Sequence, residues 1–330
     1  MEPAGLIYDD SPHYIDHLAP FCAQMNWPLW VCEPAAADLC RAYYPDLDVV
    51  EKDLFTLSLP NPLLACDPLA LLSASFPGKP IRSLWLPHGN SDKGWRGPLF
   101  EALSPSETAL VYGQKMIDFL NQKQVSAQTV PVGNFRASYW ESHRSFYTPI
   151  LEEKILSRLP ANPIYLYAPT WSDQEDNGSF WRAFPELAEA LPPSLNLVVK
   201  LHPNIRCKDE IRLEILLGRY ENRPNILFLE NFPPVYPLLS LAAAYIGDMS
   251  SVGYDFLYFN KPMYFLNPNR RNAQSDPGLY LFRCGVETNP AQAFLLGQNE
   301  DPLQNLREET YRYTFGPVPD WTELKKKLAP

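Results

Sequence analysis

The sequence predicts an α/β protein of two Rossmann-like lobes, each with a parallel sheet, and a cleft between the lobes. Three observations carry this. The chain has 330 residues, enough for about two domains at roughly 100–200 residues each. Short apolar runs alternate with helical patterns through both halves, and strands separated by helices imply parallel sheets with right-handed crossovers. A break at Pro160, Asn162 and Pro163 interrupts the alternation, which then restarts.

In the first half, Gly5 to Tyr8 reads as a strand, Pro12 to Met25 as a helix, Pro28 to Cys32 as a strand and Glu33 to Tyr44 as a helix. Further strands are expected at Pro62 to Cys66, Ile81 to Leu86, Ala109 to Tyr112 and Gln128 to Pro131, with a helix at Gln114 to Gln122. A helical stretch from about Ser145 to Leu159 closes this lobe, so the expected boundaries are 1–159, 160–300 and a helical tail at 301–330. In the second lobe, strands are expected at Ile164 to Ala168, Leu195 to Leu201, Asn225 to Leu229, Ala243 to Gly247 and Pro262 to Leu266. Helices are expected at Phe180 to Ala190, Asp209 to Arg219, Val235 to Leu241 and Ser251 to Tyr258. The 35 prolines are scattered and read as turn and strand-end punctuation.

Composition narrows the function. The formal net charge is −10, which disfavours broad nucleic-acid binding. A charged substrate must then meet local cations: Lys200, His202, Arg206, Lys208, Arg270 and Arg271. The six cysteines form no CxxC pair and read as buried free thiols in a reducing cytoplasm. The N-terminus has no leader pattern, and no segment approaches the ~20 apolar residues of a membrane span. A cytoplasmic protein is expected, and a peripheral contact at the inner membrane face is left open. Trp321 with Lys325 to Lys327 could touch such a surface or simply end a solvated helix.

Polar residues cluster just after second-lobe strands: Ala168-Pro169-Thr170-Trp171, Lys200-Leu201-His202-Pro203 and Gly247-Asp248-Met249-Ser250-Ser251. In an open parallel sheet these turns share one edge, where ligands bind. Ser250 and Ser251 sit at a helix start, whose unpaired N–H groups and dipole suit a phosphate; Ser250 is equally readable as an ordinary N-cap. Asp248 would repel that phosphate unless it orients the loop or meets a donor hydroxyl. A protonated His202 could neutralise a diphosphate and a neutral one could donate a hydrogen bond; a structural histidine is the alternative. His88 follows a strand and precedes Gly89, where imidazole could act as a general base or serve only the turn. With this geometry His88 and His202 would face the cleft.

His13, His17 and His143 are expected at the surface. The spacing of His13 and His17 can bind metal, but no third ligand or HExxH supports that. Asp173, Glu175 and Asp176 read as a solvated loop. No GxxxxGK[ST], GxGxxG or GxSxG occurs in a suitable context.

Tyr167 to Trp171 (YAPTW), Lys200 to Pro203 (KLHP) and Gly247 to Leu266, with Pro87 to Gly89 (PHG) and Pro277 to Tyr280 (PGLY), together resemble the CDP-glycerol glycerophosphotransferase family, makers of teichoic-acid-like polymers. In that family's third block Asp248, Ser250, Ser251, Val252, Asp255, Lys261 and Pro262 fit the expected order. The resemblance covers about Leu84 to Tyr280. It implies a GT-B fold and a CDP-glycerol or related nucleotide-diphosphate donor, held as substrate with no resident cofactor or metal. It implies His88 and His202 as catalytic residues. His88 would be the base on an acceptor hydroxyl, and His202, Thr170, Ser250 and Ser251 would contact the donor phosphates; Lys200 and Asp248, in the same turns, are counted with them as donor-site candidates. The acceptor, lipid-linked or free, is not named by it. Alternatives are a GT-B glycosyltransferase using a nucleotide sugar, a sugar-nucleotide 2-epimerase, and a non-catalytic nucleotide-binding protein of this fold.

Overall fold

A computed structural model describes residues 2–92, 103–172, 178–295 and 301–328. The chain divides into two compact units. Among the described residues, the first comprises 2–90, 103–142 and 312–328, and the second comprises 91–92, 143–172, 178–295 and 301–311.

The first unit runs β1 (Ala4–Ile7), α1 (Ile15–Met25), β2 (Leu29–Val31), α2 (Pro34–Tyr43), β3 (Val49–Glu51), β4 (Leu63–Ala65), α3 (Leu69–Ser75), β5 (Ser83–Trp85), β6 (Thr108–Val111), α4 (Gln114–Gln122), β7 (Gln128–Pro131) and α5 (Phe135–Ser142). Its seven strands are ordered β3-β2-β1-β4-β5-β6-β7, all parallel. The order reverses between β1 and β4, and that switch point is where open α/β sheets leave a crevice at the strands' carboxyl ends.

The second unit continues with α6 (Arg144–Lys154), β8 (Ile164–Tyr167), α7 (Phe180–Ala190), β9 (Asn196–Lys200), α8 (Pro203–Lys208), α9 (Glu210–Tyr220), β10 (Ile226–Leu229), α10 (Val235–Leu241), β11 (Ala242–Gly247), α11 (Val252–Phe256), β12 (Met263–Leu266) and β13 (Val286–Thr288). The strand order β10-β9-β8-β11-β12-β13 repeats the pattern of the first unit, again all parallel, with the reversal between β8 and β11. The central strands read as continuous apolar runs because helices cover both faces; β8, IYLY, is buried throughout. Helix α7 shows how the core closes. Phe180, Ala183, Phe184, Leu187 and Ala188 recur at helical spacing and pack with Tyr167, Leu197, Val199 and Ile246. Each buried aromatic or aliphatic side chain there is worth about 1.5–3 kcal/mol.

The chain then runs through α12 (Gln304–Thr314) and α13 (Trp321–Leu328). Two boundaries differ from the sequence reading. The units change at Ser142/His143, not at 159/160, because α6 buries Tyr147 and Leu151 and packs against α10 of the second unit. The tail is not a separate element. Arg307 is buried in the second unit on the carbonyls of Cys284 and Asn260, while α13 buries Leu324 and Leu328 in the first, with Trp321 edge-on to Phe21. The aromatic–basic cluster at 321–327 is therefore partly core. Among the described residues, no helix is long and apolar enough to cross a membrane. All six cysteines are free; four are buried, Cys32 is half-buried, and Cys207 is exposed rather than buried as expected.

Candidate functional site

In the second unit the polar residues lie at the carboxyl ends of β8, β9 and β11, beside the switch point. Asp248 follows β11 directly and is only 1% exposed. Its Oδ1 accepts from the Thr170 backbone N–H at 2.9 Å, and its Oδ2 accepts from the Ser179 N–H at 2.9 Å and the Ser179 hydroxyl at 2.7 Å. The Tyr167 hydroxyl lies 2.7 Å from the same Ser179 hydroxyl. A carboxylate so engaged braces the turn after β8 and the start of α7. Leaving one of its buried donors unpaired would cost about 1–3 kcal/mol. Asp248 was expected at the donor; the bonds it makes here are those of an orienting group, the loop-holding role that spares a phosphate its charge.

Ser250 and Ser251 begin the turn into α11. Ser250 is buried, and its hydroxyl accepts from the Val252 N–H at 3.4 Å. Ser251 is the N-cap residue of α11, but its side chain makes no capping bond. The N-cap role expected for Ser250 therefore belongs, by position, to Ser251.

His202 ends the β9 turn as the N-cap of α8, and its Nδ1 accepts from the Asn204 N–H at 3.1 Å. Accepting at Nδ1 leaves the proton of a neutral ring on Nε2, which is then a donor. The Trp171 ring lies 6.3 Å from this imidazole, centroid to centroid. Lys200 ends β9 with its Nζ donating to the Phe232 carbonyl at 3.0 Å.

The remaining cations are largely engaged. Arg206 is gripped by Glu230, Glu214 and Glu210, and these carboxylates hold its pKa even higher than usual. Lys208 lies over the Trp171 ring at 4.1 Å. Arg271 pairs bidentately with Asp276 at 2.7 and 2.9 Å and reaches the Met249 sulfur, beside Asp248 and Ser250. Arg270 is exposed. Lys93 and the Asp173, Glu175 and Asp176 run lie outside the described residues.

In the first unit, His88 is exposed at the carboxyl end of β5. Gly89 beside it has φ +109°, a conformation that favours glycine and lets the chain turn at once. The His88 ring lies 5.2 Å from the Tyr14 ring and 5.5 Å from the His13 ring. The Tyr14 hydroxyl donates to Asp67 at 2.9 Å, and Asp67 follows β4. Burial first, then the Asp67 charge, raises the Tyr14 phenol far above its ordinary range. Tyr8, at the end of β1, is likewise pushed up to about 12, mainly by burial. Both phenols therefore stay protonated as donors. Asn90, two residues after His88, is 2% exposed, and its amide nitrogen has no hydrogen-bond partner among the described residues.

His17 corrects the sequence reading: it is 7% exposed rather than at the surface. Helix α1 is covered by β1, α5 and α13, so its polar positions are also enclosed. They are matched internally. Arg136 pairs with Asp16 at 2.8 Å, Tyr44 donates to Asp16 at 2.9 Å, and Tyr112 and Arg136 meet His17 Nδ1 at 2.7 and 3.3 Å. Tyr112 also donates to the Pro87 carbonyl at 3.3 Å, just before His88. Burial above all, with Arg136, His88 and His13, holds the His17 pKa well below 6.5. His13 and His143 are half-buried.

Tyr14, Asp67, Ser179 and Asn90 were not singled out in the sequence. Asp67 could have been: once β1 and β4 flank the switch point, the residues just after each become candidates.

Residues 152–283 match the family described as CDP-Glycerol:Poly(glycerophosphate) glycerophosphotransferase, a span that lies in the second unit. Among solved structures, the chain is similar to the wall teichoic acid polymerase TagF (TM-score 0.62, 15% identity, 99% of this chain and 88% of that chain). It is also similar to a UDP-GlcNAc 2-epimerase from Neisseria meningitidis bound to UDP-GlcNAc (TM-score 0.57, 11% identity, 99% of each chain). A third is a putative UDP-N-acetylglucosamine 2-epimerase from Listeria monocytogenes (TM-score 0.57, 12% identity, 100% of this chain and 95% of that chain). These identities speak for the fold, which is of the GT-B type. No curated protein matches the chain.

Proposed function

We propose, from the match of residues 152–283 to the CDP-glycerol:poly(glycerophosphate) glycerophosphotransferase family, that this chain transfers glycerophosphate from CDP-glycerol to an acceptor hydroxyl in cell-surface polymer synthesis. One observation carries the reading: buried Asp248 locks the turns after β8 and β11 together through Thr170 and Ser179. That brace holds Ser250 and Ser251 beside the switch point, where the fold binds nucleotides.

The chemistry follows from that assignment. The acceptor oxygen attacks the phosphorus that carries glycerol, the bond from that phosphorus to the bridging oxygen breaks, and CMP leaves. His88 takes the acceptor's proton. The His202 Nε2–H, Ser250, Ser251 and the Thr170 turn donate to phosphate oxygens, stabilising charge in the transition state. Lys200 supplies a positive charge at the end of β9, and Asp248 orients the loop. No resident cofactor or metal takes part in this reading. A lipid-linked acceptor and a peripheral membrane location belong to it as well.

The test is a donor panel of CDP-glycerol, CDP-ribitol and UDP-N-acetylglucosamine, with nucleotide products resolved by mass spectrometry. CMP release from CDP-glycerol, dependent on acceptor and unchanged by chelator, is expected. In His88→Ala, turnover should fall about 10²–10⁴-fold with an unchanged circular dichroism spectrum. UDP formation from the nucleotide sugar would move the chain to the glycosyltransferases, and its acceptor-free conversion to the epimerases. Normal turnover in His88→Ala would remove His88 from the chemistry.

A further inference from the structure

The family description names poly(glycerophosphate), an anionic chain, yet the groups around His88 are poorly suited to an anion. Asp9, Asp67 and His88 follow β1, β4 and β5, three adjacent parallel strands, and so share one edge of the first sheet. Asp67 is buried and Asp9 exposed, close enough that the Asp67 charge acts on Asp9. The buried cation of this unit's core, Arg136, is matched by Asp16 at 2.8 Å. Among the described residues, a phosphate brought to this edge meets carboxylates with no counter-charge built to receive it.

The same groups suit a polyhydroxyl ligand. Hydroxyls donate to carboxylates and accept from phenols and amides. Tyr8 and Tyr14 stand beside Asp67 as protonated donors. The rings of His13, Tyr14 and His88, at centroid separations of 4.4 to 5.5 Å, add apolar faces for C–H groups. An independent observation points to a ligand here: Asn90 is buried, its amide nitrogen has no partner among the described residues, and the Gly89 turn sets it two residues from His88. Buried donors are normally paired, so an orphan beside a proposed base reads as a contact reserved for substrate.

We propose that Asp9, Tyr14, Asp67, His88 and Asn90 form the acceptor subsite, and that it takes an uncharged polyhydroxyl group, a sugar or polyol, in preference to a phosphate-bearing one. This rests on the reading of His88 as the acceptor base. It names the acceptor class that the second unit's resemblance to the family leaves open.

The closing experiment separates failure of the subsite from failure of the transferase reading. Binding is measured first without donor, by saturation-transfer NMR on the full chain, comparing an alkyl glycoside with the same glycoside carrying a terminal glycerophosphate. The uncharged ligand is expected to bind at least tenfold more tightly. Asp67→Asn should narrow that ratio several-fold by easing repulsion of the phosphate, and Asn90→Ala should weaken the uncharged ligand about tenfold, with thermal melts reporting folding. Equal or tighter binding of the phosphorylated ligand by the wild-type chain overturns the proposal, as does an unchanged ratio in a folded Asp67→Asn. The two ligands are then offered as acceptors with CDP-glycerol. Absence of CMP release with either, alongside the expected binding ratio, counts against the transferase reading and leaves the subsite standing.

Discussion

His202 does two jobs with two nitrogens, and they can be separated. Nδ1 caps α8 through Asn204, which leaves the proton of a neutral ring on Nε2. Asparagine caps helices well but offers no donor in the place of Nε2. His202→Asn should therefore keep stability within a few tenths of a kcal/mol, whereas His202→Ala loses about 0.5–2 kcal/mol. Both should lose about 10²–10³ in turnover; thermal melts and initial rates, read side by side, check the split. His17 makes a different prediction. Buried beside Arg136, it stays neutral in the folded chain to a pH well below 6.5, while the unfolded chain binds its proton near 6.5. Stability is thus full above 6.5 and is lost as pH falls from there toward the folded value, by at most about 1.4 kcal/mol per pH unit. Denaturant titrations at about pH 7 and about pH 5 should show this loss, and His17→Gln should flatten it. An equal slope in that variant would assign the acid sensitivity elsewhere.

Elements were legible where periodicity was strong. The helices at Gln114–Gln122, Phe180–Ala190 and Val235–Leu241 match their expected bounds. The segments missed are short or edge-lying: β3, α3, α5, α8 and β13. A three-residue edge strand such as β3 carries too little pattern to announce itself, and it exists because β2 offers a paired neighbour. The C-terminal segment is held the same way, by what it lies on. Gly133 has φ +62°, and a side chain there would collide with the Pro317 backbone; at Gly113 it would meet the Thr314 carbonyl at 2.6 Å. Gly133→Ala combines left-handed strain of about 1–2 kcal/mol with that collision. It should lower the melting temperature and speed amide exchange across α13. Unchanged exchange would mean that this close approach does not hold the tail in place.

At the scale of the molecule, the strand order β3-β2-β1-β4-β5-β6 reappears as β10-β9-β8-β11-β12-β13. Each unit therefore has its own switch point and its own carboxyl-end edge. The proposed division of labour assigns nucleotide to the second. CDP at about one hundred times its dissociation constant should stabilise the folded state by about 2.7 kcal/mol. Hydrogen exchange should then show protection concentrated at β8, β11 and α11 rather than at β1 and β4. Protection centred on the first unit would reverse that assignment.

The sequence alone determined the fold class, the parallel alternation of both halves and the family resemblance of the second, because these rest on local periodicity and on short blocks read along the chain. It also drew attention to His88, His202, Thr170, Ser250 and Ser251, since turns after strands stand out as polar breaks in apolar runs. Only the tertiary structure decided what those groups touch. Asp248 turned inward to Thr170 and Ser179, and Arg206 was taken up by three glutamates. Tyr14 and Asp67, 53 positions apart, became one hydrogen-bonded pair beside His88. A side chain's partner is set by the order in which strands assemble, and that order is a long-range property that no window of sequence contains.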